Sequence, residues 1–169
     1  MIKINFFARE YRLEPVKQDV ILGLCDPEGE QPAYSTNDID CGDKWCATVK
    51  NDQQKGIQFI AIDKNIDIRR PNGNLENRCD GMLYVEETRD LSFVELKDYR
   101  VGGLNIAEDQ LLTTIQYFLA NHNYADFHNR RAYACRPSHP HFLFSARQSI
   151  QEFYNKTHFR LLPQATIDI

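Results

Sequence analysis

Apolar and polar positions along the chain follow patterns that predict a mixture of strands and helices. Strands are expected at residues 45–49, 57–62, 78–85 and 91–99, where β-branched and aromatic side chains cluster between turn residues. Further along, we expect a helix at 106–122, a strand at 131–135, a helix at 142–154 and an extended segment at 159–167. In the first helix, Leu111, Ile115 and Phe118 repeat at helical spacing. This order predicts an α/β (α+β) fold with a mixed central sheet flanked by helices.

The first 44 residues have a weaker pattern. Residues 15–24 favour a short helix that begins at Pro15, because proline suits the first turn of a helix. Residues 25–44 combine prolines, glycines and six acidic side chains, which predicts an irregular, exposed segment. A length of 169 residues matches one unit of roughly 150 residues. We therefore expect a single domain over 1–169, with an irregular extension at 1–44 and a core at 45–169.

Composition narrows the class of protein. Hydrophobic residues make up 42% and charged residues 26%, which is typical of a globular domain. A net charge of −4 argues against a broad basic surface that coats nucleic acid. No run approaches the roughly 18 apolar residues of a membrane helix, and the N-terminal residues do not resemble a signal peptide. We expect no membrane association and a cytoplasmic location.

Cysteines are five in number and scattered, which favours reduced thiols over a disulfide framework. Cys41 and Cys46 lie close together, but no second cysteine or histidine pair stands at a matching distance. The sequence therefore favours thiols over a zinc site.

Two charged side chains share one face of the strand predicted at 91–99. In an alternating strand, Glu95 and Lys97 point to the same side as Phe93. The preceding strand begins at Asp80 and Gly81, and the glycine leaves room for a close neighbour. If the two strands are antiparallel neighbours, Asp80 lies beside Glu95. Two carboxylates and a lysine at one sheet edge form a hard-oxygen site that suits Mg²⁺, with the lysine near the attacking water.

The order of these residues resembles the PD-(D/E)XK nuclease superfamily, whose members share the restriction-endonuclease-like fold. The resemblance covers about residues 57–136, and Glu95-Leu96-Lys97 is the only [D/E]-x-K in the chain. It implies that Asp80, Glu95 and the backbone carbonyl of Leu96 bind Mg²⁺, for which Mn²⁺ would substitute. It also implies that Lys97 serves the nucleophilic water and that the core is restriction-endonuclease-like.

The helix after this motif matches only part of a subgroup pattern. RecB-like nucleases carry a glutamine and a tyrosine on that helix. Gln110 matches the glutamine and is predicted to be catalytic, whereas Thr114 stands at the tyrosine position. Tyr117 lies one turn further on the same stripe. Cys79 replaces the proline of the superfamily pattern.

Several basic side chains are candidates for contacting phosphates, although a solvated charge run is the plainer interpretation of each cluster. Together with Tyr117, the predicted nucleic-acid contacts are Arg69, Arg70, Arg78, Arg130 and Arg131.

The leading hypothesis is a divalent-metal-dependent nuclease that hydrolyses phosphodiester bonds in DNA or RNA, with a second copy or a partner protein completing the groove. The plainer alternatives are that Glu95 and Lys97 form a weak pair on a solvated strand face and that Asp80 belongs to a turn. Two other functions stay open: a catalytically silent nuclease-like binding module, and an inhibitor or immunity protein with an acidic face. That face would consist of Glu28, Glu30, Asp38, Asp40 and Asp43.

Overall fold

A computed structural model of the chain describes residues 3–96, 103–135 and 147–169. In these ranges the strands are β1 (Ile21–Cys25), β2 (Tyr34–Thr36), β3 (Ala47–Lys50), β4 (Ile57–Ala61), β5 (Gly81–Val85), β6 (Asp90–Glu95), β7 (His128–Ala134), β8 (Arg160–Leu162) and β9 (Thr166–Asp168). The α-helices are α1 (Gly103–Leu119) and α2 (Arg147–Thr157). Short 3₁₀ helices cover Arg9–Tyr11, Ile39–Lys44 and Tyr124–Asp126. The predicted α+β class is confirmed.

The larger sheet has five strands in the order β4-β5-β6-β7-β8. Strands β4, β5 and β6 are antiparallel neighbours, whereas β6, β7 and β8 run parallel. A parallel pair needs a crossover connection. Helix α1 lies in the connection from β6 to β7, and α2 lies in the connection from β7 to β8. The sheet is therefore mixed, as predicted.

The smaller sheet has four strands in the order β2-β1-β3-β9, and it includes residues from the first 44. The short helix predicted at 15–24 is wrong, because Ile21–Cys25 forms strand β1 between two antiparallel neighbours. A short apolar run does not distinguish a strand from a buried helix by periodicity. The strand also needs Gly23, because a Cβ there would lie 2.1 Å from the Trp45 ring.

Two buried clusters place the larger sheet in the middle of the molecule. Leu91 and Phe93 of β6 pack into the cluster that contains Leu111 and Phe118 of α1. Val94, the next residue along β6, packs into the cluster shared with the smaller sheet. This alternation agrees with the faces predicted for the described part of the strand, residues 91–96. It places Glu95 on the side of the helices.

Most of the remaining predicted elements agree with the structure where it describes them, but β2 lies within the segment 25–44 that was predicted to be irregular, and the extended segment at 159–167 is divided into β8 and β9 of different sheets. The helix predicted at 142–154 is matched by α2 from residue 147 onward, and its beginning lies outside the described residues. Lys97, the lysine of the motif, also lies outside them. In the described part of the chain, no helix is both long and apolar enough to span a membrane.

Candidate functional site

Asp80 and Glu95 lie opposite each other where β5 begins and β6 ends. The antiparallel register pairs Gly81 with Val94, so the next pair outward is Asp80 with Glu95. This confirms that the two strands are antiparallel neighbours. Asp80 is 1% exposed and Glu95 is 0% exposed, so a solvated strand face at Glu95 is wrong. Two carboxylates thus occupy one buried edge of the sheet.

Main-chain contacts hold the Asp80 side chain in place. Its Oδ2 atom accepts a hydrogen bond of 2.6 Å from the backbone N–H of Leu96. Its carbonyl accepts from the Ile62 N–H at 2.8 Å, which ties the start of β5 to the end of β4. The adjacent Gly81 is required by packing, because a Cβ there would lie 2.6 Å from Cζ of Phe59. The Asp-Gly pair therefore marks a close approach between strands, as the sequence predicts.

Helix α1 holds the segment before Asp80 through two side chains one turn apart. Gln110 donates from Nε2 to the carbonyl of Arg78 at 3.1 Å. Thr114 is fully buried, and its Oγ1 accepts from the backbone N–H of Cys79 at 2.9 Å. The predicted stripe thus brings Gln110 to the carboxylate edge. Thr114, where the RecB-like pattern has tyrosine, fixes the main chain next to Asp80.

The far end of the same stripe contacts other segments. The Tyr117 hydroxyl donates to Oε2 of Glu76 at 3.4 Å. Asn121 accepts from the backbone N–H of Ile4 at 3.1 Å. Tyr117 lies seven residues after Gln110, which is about 10 Å along a helix axis. Its hydroxyl is directed to the partly buried carboxylate of Glu76 rather than to Asp80.

Arg78 is the predicted phosphate contact that lies nearest in sequence to Asp80. Its side chain is only 8% exposed, and Nη2 donates to Oδ1 of Asp63 at 2.8 Å. Asp63 lies two residues after the buried end of β4, and its N–H donates to the carbonyl of Cys79 at 3.2 Å. The sequence analysis did not single out Asp63. The available signal was a carboxylate immediately after a strongly apolar strand.

The other four arginines make contacts away from the carboxylate edge. Arg69 pairs with Asp67 and Arg70 pairs with Glu76, both in the turn region before β5. Arg130 donates to the carbonyls of Tyr124, Phe127 and His158, and Arg131 donates to the carbonyl of Asp168. Both β7 arginines lie toward the start of their strand, whereas Glu95 pairs with Ala134 at its end. The structure does not bring them to Asp80 and Glu95.

Three cysteine thiols lie close enough to one or both carboxylates for the negative charge to shift their pKa. Burial raises the pKa of Cys79 and of Cys135, and the negative charge of Glu95, then that of Asp80, raises each further. Burial also raises the pKa of Cys46; a hydrogen bond with the Asp26 main chain lowers it, and the charges of Asp26 and Asp80 raise it. Neutral thiols are weak hydrogen-bonding groups, so the surroundings that they form for the carboxylates are only weakly polar. Only Cys79 could be placed here from the sequence.

The donor atoms fit a hard divalent cation. Carboxylate and carbonyl oxygens are what Mg²⁺ prefers, and Asp80, Glu95 and the Leu96 main chain bring such atoms to one edge. Within the described ranges, no three or more histidine, cysteine, aspartate or glutamate side chains are grouped so as to hold a metal. The candidate site therefore rests on two carboxylates and a main-chain carbonyl.

A separate cavity of about 650 Å³ lies at the other end of the larger sheet. It is lined in part by Phe7, Tyr84, His122 and Phe127, at the end of β5 and beyond the end of α1. Neither Asp80 nor Glu95 contributes to it. This cavity and the buried carboxylates are thus different places on the molecule.

Comparisons with protein-family models, with curated proteins and with solved structures find no match.

Proposed function

We propose that this chain is a divalent-metal-dependent nuclease that hydrolyses phosphodiester bonds in DNA or RNA. The observation that carries the proposal is the buried pairing of Asp80 with Glu95 across β5 and β6. The five-stranded sheet with α1 after β6 is consistent with a restriction-endonuclease-like core, and that finer fold assignment is part of the proposal.

Each residue of the motif has a role under this proposal. Asp80 and Glu95 would hold a Mg²⁺ ion, together with the carbonyl of Leu96. When bound, the ion supplies Lewis-acid polarisation of a phosphoryl oxygen and lowers the pKa of a water. Lys97 orients the attacking water and offsets negative charge in the transition state. Gln110 fixes the main chain at Arg78 and so the approach to Asp80.

The rigid attachment of Asp80 supports a chemical role over a purely structural one. A carboxylate that accepts a main-chain N–H at 2.6 Å has little freedom to turn away from Glu95. Preorganised ligands of this kind do not have to be reorganised when a metal or a developing charge arrives. An inhibitor that mimics nucleic acid would use the exposed carboxylates Glu28, Glu30, Asp38, Asp40 and Asp43 instead, so the buried pair does not bear on that alternative.

The proposal is tested by incubating plasmid, single-stranded DNA and RNA with the intact chain and Mg²⁺ or Mn²⁺. We expect cleavage that EDTA stops and that Glu95→Gln reduces at least about 100-fold, since this change removes a metal ligand. Lys97→Ala is expected to lose activity, whereas Lys156→Ala, an exposed lysine on α2, is expected to keep it.

The outcomes separate the competing functions. Activity that persists unchanged in Lys97→Ala overturns the role assigned to that lysine. Binding of nucleic acid without cleavage of any of the three substrates overturns the enzyme and favours the silent binding module.

A further inference from the structure

Arg78 has a buried guanidinium most of whose donors have no acceptor among the residues that the structure describes. The residue is 9% exposed, and Nη2 bonds one oxygen of Asp63 at 2.8 Å. Among the described residues, its Nε and Nη1 atoms are buried without a hydrogen-bond acceptor. A guanidinium carries five N–H donors and keeps its charge at any ordinary pH. One contact with a single carboxylate oxygen therefore leaves most of these N–H donors without an acceptor among the described residues.

Buried donors are nearly always satisfied in folded proteins, so an exception calls for a ligand or a function. For a guanidinium, the acceptors that match best are carboxylate and phosphate oxygens. Asp63 already supplies the carboxylate. The remaining donors are suited to a phosphate.

The position of Arg78 relates these donors to the candidate metal site. It stands two residues before Asp80, and its own carbonyl is held by Gln110. Its partner Asp63 follows β4, next to the segment that leads into β5. Asp80 and Glu95 bring two negative charges to this edge, which would repel a phosphodiester. Arg78 stands only two residues from Asp80 in sequence, and positive charge near the carboxylates offsets that repulsion before any metal binds.

The other predicted phosphate contacts do not show this feature. Arg69 and Arg70 are paired with carboxylates at the surface, and their side chains are 47% and 43% exposed. Arg130 and Arg131 donate to backbone carbonyls. Of the five arginines, Arg78 is thus singled out by burial and by unused donors in the described part of the chain.

We infer that Arg78 is the phosphate-binding residue of the candidate site, donating from Nε and Nη1 to the oxygens of a backbone phosphate in the nucleic acid. This inference rests on the proposed function for the identity of the site. It adds a contact that binds substrate without metal. Asp63 holds the guanidinium in place and does not touch the phosphate.

The test measures binding in EDTA, where no cleavage occurs. A fluorescent single-stranded oligonucleotide is titrated with the intact chain, and anisotropy gives its Kd for wild type, Arg78→Gln and the control Arg160→Gln, at an exposed arginine of β8. We expect Arg78→Gln to weaken binding at least about tenfold and to lower the salt slope by about 0.7 to 1. Arg160→Gln is expected to change Kd less than about twofold. Equal affinity of Arg78→Gln and wild type overturns the inference.

Two further measurements cover a variant that does not fold and a ligand that is not nucleic acid. Arg78→Lys keeps the charge beside Asp63 but loses the planar fork, so we expect affinity between those of wild type and Arg78→Gln. Wild-type affinity in Arg78→Lys contradicts the inference. Inorganic phosphate at constant ionic strength should compete with the oligonucleotide only at much higher concentration. Competition at equal concentration would mean that a free phosphate, not a nucleic-acid backbone, is the ligand, and would overturn the substrate assignment.

This inference and the proposed function fail in different ways. If binding depends on Arg78 but no metal-dependent cleavage occurs, the proposed nuclease activity is wrong and the phosphate contact stands. If cleavage occurs but Arg78→Gln binds as wild type does, the phosphate contact is wrong and the nuclease activity stands.

Discussion

The Asp80 carboxylate accepts a hydrogen bond of 2.6 Å from the backbone N–H of Leu96, the residue that follows Glu95. The contact fastens the start of β5 to the end of β6 and orients Asp80 by main-chain geometry. The structural role of Asp80 and its proposed chemical role can be separated, because different substitutions remove one or the other.

Asp80→Ala is expected to lower the free energy of unfolding by about 1–3 kcal/mol, because a buried N–H loses its acceptor. Asp80→Asn retains an acceptor oxygen and should cost clearly less. Urea denaturation in EDTA measures both. Equal losses for the two variants would show that the hydrogen bond to Leu96 does not hold the strands together.

Gly81→Ala is expected to destabilise the protein by about 1–3 kcal/mol, since the new Cβ would lie 2.6 Å from Phe59. Gly42→Ala is the matched control: nothing lies within 4 Å of a Cβ at that position. We expect the control to stay within about 0.5 kcal/mol of wild type. Combining Gly81→Ala with Phe59→Leu should recover part of the loss in a double-mutant cycle. Strict additivity of the two changes would argue against the clash.

Thr114→Val removes the hydroxyl that accepts from the Cys79 N–H and donates to the Gln110 carbonyl at 2.8 Å. The shape is kept, so the expected loss of about 1–3 kcal/mol reflects the buried N–H left without an acceptor. Thr114→Ser keeps the hydroxyl and should recover most of that loss. Thermal unfolding of the two variants checks the prediction. A Val variant as stable as the Ser variant would refute a positioning role for Thr114.

Burial lowers the pKa of His122 from 6.5, and the charge of Asp126 raises it only in part. The ring stacks on Phe118 at 4.5 Å. The unfolded chain therefore takes up the imidazole proton more readily than the folded chain does. The contribution of neutral, buried His122 to the free energy of unfolding is complete above pH 6.5 and is lost as the pH falls. The slope below pH 6.5 is at most about 1.4 kcal/mol per pH unit.

His122→Phe should remove this part of the pH dependence, whereas His128→Gln, at an exposed histidine, should leave it unchanged. Urea midpoints between pH 5 and 7.5 measure the difference between each variant and wild type. A His122→Phe profile parallel to that of wild type would contradict the assignment.

Local patterns predicted the elements around the site because local physics determines them. Successive side chains around Phe93 point to opposite faces of the sheet because they lie in an extended strand. Leu111 and Ile115 lie on one face of α1 because they are one helical turn apart. The juxtaposition of Asp80 and Glu95 needed one further assumption, that consecutive strands pair as antiparallel neighbours. That pairing is confirmed.

Contacts between distant residues could not be predicted in the same way. The parallel pairing of Thr48 with Thr166 joins segments more than a hundred residues apart, and nothing local specifies it. The bond from Cys79 to Thr114 depends on how α1 crosses the sheet. Strand β1 was predicted as a helix because Pro15 gave a start signal and Ile21–Cys25 is too short to show a period.

The central claim is that Asp80 and Glu95 jointly hold one divalent cation, and calorimetric titration of Mn²⁺ into the intact chain tests it most directly. We predict one saturable site in wild type, at least about tenfold weaker in Asp80→Asn and in Glu95→Gln, a loss of about 1.4 kcal/mol or more. Asp67→Asn, at an exposed carboxylate, should bind as wild type does. No binding by wild type, or equal binding by wild type and the two buried variants, would contradict the account.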